Sequence, residues 1–154
     1  MIAVKKKIYI ACDHAGFELK NNLIDFLEVQ GYVIEDKGAF SYDEQDDYPD
    51  FISAAAREVS RDPENSLGIV IGGSGQGEAM VANRFPNVRA SLYYGGNPEM
   101  VKVTREHNDS NVLSLGARFM TAEEAESALK TWLETPFSGE ERHIRRIKKI
   151  EEWK

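Results

Sequence analysis

The stretch Ile69-Val70-Ile71-Gly72-Gly73-Ser74-Gly75-Gln76-Gly77-Glu78 decides how the rest of the chain is read. A β-branched apolar run reads as a buried central strand, and it stops abruptly at four glycines within positions 72–77. With so little side chain, backbone N–H groups of such a turn can approach a ligand closely. A helix expected just after the turn would aim those groups at an anion. Glu78 then places a carboxylate at the rim of the cradle. The unit is strand, anion-binding turn, helix, with a base attached.

The spacing excludes two familiar versions of that unit. With Gly73 and Gly75 as the first pair of a dinucleotide fingerprint, the third glycine would fall at position 78, which is Glu78. No Gly-Lys-Ser/Thr follows, so it is not a nucleoside-triphosphate loop either. A plain reading stays open beside the functional one: a tight strand-to-helix turn needs small residues, and Glu78 in a first helical turn complements the helix dipole. As a general base Glu78 needs a proton affinity nearer neutrality; the helix terminus lowers it and burial raises it.

On either side of this stretch, short apolar runs alternate with helical periodicities. Strands are expected over 7–12, 32–35, 67–71, 88–93 and 111–115. Between them, Leu19, Leu23, Phe26 and Leu27 recur at helical spacing, with Lys20, Asn21 and Glu28 on the opposite face and Gly31 ending the helix. A second helix runs from Tyr48-Pro49 to Asp62-Pro63, a short one covers 79–83, and a fourth runs from Pro98 to about 106. Thr121 starts a fifth, with Glu123 and Glu124 in its first turn and Pro136 as its stop. The last, strongly charged helix covers 140–153. Strands alternating with helices imply a parallel sheet covered on both faces. The expected architecture is a single-domain, three-layer Rossmann-like α/β fold spanning 1–154, with a five-stranded parallel sheet.

Length and composition agree. The chain has 154 residues, 42% of them hydrophobic and 29% charged, as in one globular domain with an ordinary core. No apolar run is long enough to cross a bilayer, and the run at 8–12 is too short for a signal-peptide core, so the expected compartment is the cytoplasm and no membrane partner is expected. The formal charge of -7 argues against a nucleic-acid partner and means that an anionic substrate needs a local cluster of cations. The single cysteine, Cys12, ends an apolar strand and reads as an inert buried thiol without metal-site spacing.

In an open α/β sheet, residues after the carboxyl ends of strands gather in the ligand crevice. Asp13-His14 and the glycine turn obey that rule; Asp13 also reads as a helix N-cap and His14 as a surface histidine. His107 precedes a strand and fits less well within one subunit, although a neighbouring subunit could bring it in; His107-Asn108-Asp109 also reads as simple turn chemistry. Arg142 and Arg146 share one helix face, and their guanidinium forks suit phosphate oxygens, as does Arg118 after the fifth strand. The alternative for the two helical arginines is a solvated basic face, to which His143, Arg145, Lys148 and Lys149 also contribute.

Together the stretches Ala11-Cys-Asp-His-Ala-Gly16, Asp47-Tyr-Pro49, Gly72-Gly-Ser-Gly-Gln-Gly-Glu78, Ala82-Asn83, Arg105-Glu-His-Asn108 and Arg142-His143 resemble the ribose-5-phosphate isomerase B family, which includes the sugar-phosphate isomerases of galactose and allose metabolism. The resemblance implies an aldose–ketose isomerase working through an enediolate, without metal or cofactor. One branch of that family carries a cysteine base at the position of Gly72; the other carries a glutamate where Glu78 stands, which implies Glu78 as the base. It further implies His107 as the ring-opening acid, Asp13 assisting it, and Ser74 with the N–H groups of Gly73, Gly75, Gln76 and Gly77 around the oxyanion. His14, Arg118, Arg142 and Arg146 are implied to hold the phosphate and Asn108 the sugar hydroxyls. The implied partners are a phosphorylated sugar and further copies of the chain, as a homodimer or homotetramer with shared sites and the last helix reaching a neighbour. Two rival readings stay open: a six-carbon substrate such as allose or galactose 6-phosphate, and a non-catalytic sugar-phosphate-binding module.

Overall fold

The structure is a computed structural model that describes residues 5–153. Five strands, β1 (Lys7–Cys12), β2 (Ile34–Asp36), β3 (Ser66–Gly72), β4 (Ala90–Tyr93) and β5 (Val112–Gly116), form one sheet in the order β2-β1-β3-β5-β4. Every pairing is parallel. The helices are α1 (Phe17–Val29), α2 (Tyr48–Arg61), α3 (Gln76–Ala82), α4 (Glu99–Glu106), α5 (Ala122–Glu134) and α6 (Glu141–Glu151). The expected three-layer arrangement is the one observed.

The period of two along each strand sorts its side chains between two cores. Ile8, Ile10, Cys12, Ile69, Ile71, Leu113 and Leu115 meet Leu19, Leu23 and Leu27 of α1 and Ala125, Ala128, Leu129 and Trp132 of α5. Ala11, Val70 and Val112 face the other way, onto Ile52, Ala55, Ala56 and Val59 of α2 and Ala82 of α3. β3 is central because both of its neighbours and both of its faces are covered, which is why it reads as an unbroken apolar run.

Several boundaries differ from the sequence reading, each for a local reason. The strand expected from residue 32 begins at Ile34, because Tyr32 N–H caps α1 by donating to the Leu27 carbonyl across Gly31, whose φ is 83°. The strand expected from residue 88 begins at Ala90: Asn87 has φ 66°, and the N–H of Arg89 is taken by the Asn111 side chain. The helix expected from residue 79 begins earlier, at Gln76, so Gly77 is helical. Lys20, expected on the polar face of α1, is only 1% exposed; its ammonium binds both carboxylate oxygens of Asp36, at 2.8 and 2.9 Å. Thr121 caps α5 as expected, its hydroxyl accepting from Glu124 N–H.

The topology separates the molecule into two ends. Cys12, Gly72, Tyr93 and Gly116 close the carboxyl edge of the sheet. α4 returns the chain to the amino edge, where α6 lies, tied at its far end by an Arg89–Glu151 ion pair of 2.6 Å. No helix among the described residues is long and apolar enough to cross a membrane.

Candidate active site

At the carboxyl edge the chain after β3 turns through Gly73–Gly75 into α3. Gly75 has φ 79°, and a Cβ there would stand 2.6 Å from Leu92 Cδ1, so both the backbone and the space require glycine. A buried hydroxyl on β5, Ser114, donates to the Gly75 carbonyl at 2.7 Å and fixes the turn to the sheet. Ser74 Oγ accepts from Gln76 N–H at 3.3 Å. Arg118, in the 3-10 turn that follows β5, donates its N–H to the Gly73 carbonyl at 3.0 Å, and its guanidinium lies over Gly73.

Glu78 sits in the first turn of α3, yet its side chain folds back to Gly72 and the residue is only 4% exposed. The carboxylate fills the space in which a Cβ on residue 72 would lie. Burial raises its proton affinity above the ordinary carboxylate range, and the negative charge of Asp13 raises it further; the N–H groups of Glu78 and Gly75 partly offset both. The competition left open by the sequence is therefore won by burial.

Asp13 follows β1 and is 7% exposed. Its Oδ1 accepts from the N–H groups of Ala15 and Gly16 at 2.9 and 3.3 Å, which is the expected cap. His14 begins the 3-10 turn His14–Gly16, and its Nδ1 lies 2.6 Å from Asp46 Oδ1. The hydrogen bond to Asp46 holds the His14 pKa above its ordinary value, with desolvation and then the Arg118 charge opposing. Tyr48 lies against the same turn: a Cβ on Gly77 would meet its hydroxyl oxygen at 2.6 Å. Cys12, below this edge, has its thiol pushed up to about 11 by burial, so it is not a nucleophile at neutral pH.

The structure thus gathers Asp13, His14, Gly73, Ser74, Gly75, Gln76, Gly77, Glu78 and Arg118 at one edge. His107, Asn108, Arg142 and Arg146 lie at the other. β5 alone separates the two groups by roughly 13 Å, at about 3.3 Å per residue. His107 caps α4 and stacks on His143, with ring centroids 4.3 Å apart and planes at 17°. His143 is 4% exposed, and its pKa is lowered by burial and by neighbouring His107 and Arg142, so it does not join the cation cluster expected of it. Arg142 and Arg146 are exposed on α6; Arg142 pairs with Glu140 at 2.9 Å. Arg89 braces the turn after His107, with Nε 3.1 Å from the carbonyls of both Asn108 and Asp109.

Among the described residues, Asp13, His14 and Asp46 offer ligand atoms within 4.8 Å of one another, the one grouping suited to a cation. Asp13 Oδ1 is already engaged with backbone, and His14 Nδ1 and Asp46 Oδ1 with each other. The sequence reading assigned no role to Asp46 or Tyr48. Asp46 lies in an acidic loop 32 residues from His14, and no periodicity links the two.

A glycine turn with a buried carboxylate at one edge of the sheet, and a stacked histidine pair at the other, is a specific arrangement. The family model of the ribose/galactose isomerases matches residues 8–150. The chain belongs to that family. It is 44% identical over 147 residues to ribose-5-phosphate isomerase B of Mycolicibacterium paratuberculosis, covering 96% of this chain and 91% of that protein. It also resembles the crystal structure of ribose-5-phosphate isomerase B from Mycoplasma genitalium with bound ribulose 5-phosphate. The TM-score there is 0.93 at 35% identity, over 98% of this chain and 97% of that one. The Clostridium thermocellum ribose-5-phosphate isomerase B structure is similar at TM-score 0.87 and 41% identity, with 95% of each chain covered. At the two positions that the resemblance singled out, this chain has a glutamate at 78 and a glycine at 72.

Proposed function

We propose that this chain interconverts ribose 5-phosphate and ribulose 5-phosphate, with Glu78 as the base that carries a proton between C2 and C1. The buried Glu78 carboxylate beneath the glycine turn carries this reading, because a base that must take and return one proton works best with a proton affinity nearer neutrality. Burial and the Asp13 charge supply that adjustment.

The cyclic sugar phosphate opens first, with His107 of a second copy protonating the ring oxygen and Asp13 assisting. Glu78 then removes the C2 proton, and the electron pair moves onto the carbonyl oxygen to give an enediolate. Ser74 and the N–H groups of residues 73–77 stabilise that oxyanion, an interaction that strengthens where water is excluded. Return of the proton to C1, with the C2 hydroxyl proton passing to the C1 oxygen as the C2 carbonyl forms, yields the ketose. A positioned base of this kind contributes about 10²–10⁴ in rate. The phosphate is held by His14 and Arg118 from one subunit and by Arg142 and Arg146 from the other, with Asn108 on a sugar hydroxyl. The separation of the two edges supports a homodimer or homotetramer in which each site takes one half from each of two copies.

The test is isomerisation of ribose 5-phosphate in deuterated water, beside allose and galactose 6-phosphates. The wild type is expected to turn over the pentose fastest and to incorporate deuterium from solvent. Glu78→Gln is expected to bind the sugar phosphate and lose at least about 10²-fold in turnover. Binding without turnover by the wild type establishes a non-catalytic module instead, and a faster hexose reaction corrects the substrate.

A further inference from the structure

Asp13, His14, Asp46, Glu78 and Arg118 stand together at the carboxyl edge, and Asp46 has no part in the proposed reaction. Asp46 lies in the loop between β2 and α2, and its side chain is only 7% exposed. Its Oδ1 makes two bonds to the same residue: His14 Nδ1 at 2.6 Å and His14 N–H at 3.2 Å. Its Oδ2 is buried with no hydrogen-bond partner among the described residues. The Tyr42 ring meets the imidazole edge-on, with centroids 6.2 Å apart. The ring is thus held on one nitrogen and one edge, which leaves Nε2–H as its remaining donor.

We propose that Asp46 is a positioning residue for substrate binding: held on Asp46 Oδ1 through Nδ1, the His14 ring keeps a fixed plane and presents Nε2–H to a phosphate dianion. This rests on His14 being part of the phosphate site. A buried carboxylate with an unpartnered oxygen is costly unless a cation stands beside it, and His14 is the group it touches. The charged groups around His14 are Asp46 and Asp13, which favour its protonated form, and Arg118, which opposes it. A bound dianion favours it further. A lone surface histidine loses its charge near pH 6.5, so without Asp46 the phosphate would meet a neutral ring through much of the physiological range.

The experiment is KM and kcat for ribose 5-phosphate in wild type, Asp46→Asn and His14→Ala between pH 6 and 8.5. Titration of the His14 ring by NMR accompanies it. Asp46→Asn keeps the acceptor oxygen and removes the charge. Its KM is expected to rise about tenfold from pH 6 to 8 as the ring deprotonates near its ordinary pKa, while the wild-type KM stays flatter and the effect on kcat is small. The wild-type ring should titrate above about 6.5 whether or not the variant folds, and a ring titrating at or below that value overturns the proposal. An Asp46→Asn profile superimposable on wild type also overturns it. If His14→Ala leaves KM unchanged, it is the phosphate assignment of His14 that fails.

Discussion

The Glu78 carboxylate occupies the volume that a side chain on Gly72 would need. The two positions therefore compete for one volume, and only one of them can fill it with a side chain. A Cβ on residue 72 would overlap the Glu78 carboxyl group, so any larger residue expels Glu78 from its buried place. Gly72→Ala is therefore expected to fold, since Gly72 has no left-handed φ, and to lose most of its turnover. The direct check is kcat together with the deuterium exchange rate at C2. Retained exchange would mean that Glu78 works from another rotamer. Gly72→Cys combined with Glu78→Ala moves a nucleophilic atom into the vacated space, and partial recovery relative to Glu78→Ala alone is the expected result.

Burial of Glu78 has an opposite sign in stability. Its folded-state pKa is raised, so the folded protein binds the proton more tightly than the unfolded chain. Stability then falls as pH rises from the unfolded value, about 4.3, through the folded one, and the penalty is complete above both. Glu78→Gln removes the ionisation while keeping the shape. The variant is expected to match wild type in stability near pH 4 and to exceed it at pH 7–8, in contrast to its lost activity. Denaturant midpoints at the two pH values read this directly, and equal midpoints at pH 8 would contradict a buried, destabilised charge. In activity, the acid limb of kcat/KM should fall above pH 4.3 for the same reason.

Ser114 tests whether the glycine turn must be held from below. Its hydroxyl donates to the Gly75 carbonyl in a fully buried position, and that carbonyl also accepts from Ala79 N–H. Ser114→Ala removes one of the two bonds and leaves the acceptor satisfied. A stability loss of about 1 kcal/mol is expected. Turnover should fall more than stability suggests, because the turn carries both the proposed oxyanion donors and the start of α3. Unchanged kcat would show that the turn holds its shape without the anchor.

Much of this was legible in the chain because periodicity reports burial. The run Ile69-Val70-Ile71 is apolar at every position since β3 is covered on both faces, and Thr121 announces a helix because its hydroxyl has an N–H to cap. Lys20 was misread for the complementary reason: helical spacing places it away from the leucine stripe, but Asp36, delivered by a strand 16 residues on, draws its ammonium inward. Asp46 and His14 meet through a loop, and loops leave no repeating signature. His143 sits among charged neighbours in sequence, and only the crossing of α6 over the end of α4 turns it against His107. Side chains positioned by their own element are readable; those positioned by a distant one are not.

The separation of Glu78 and His107 leads to the sharpest prediction. They lie at opposite edges of one sheet, so the proposed site takes them from different copies of the chain. If each site takes Glu78 from one copy and His107 from another, two inactive variants repair each other. Glu78→Gln and His107→Ala are each expected to be nearly inactive alone. Mixed after reversible dissociation in equal amounts, half of the dimers are heterodimers, and each of these has one intact site and one doubly defective site. The mixture should recover about a quarter of wild-type activity, the fraction that two-fold pairing dictates. Titrating the ratio away from equality should lower the recovery symmetrically. Failure to recover any activity, with subunit exchange verified by mass, would place both residues' work within a single chain and remove the shared site.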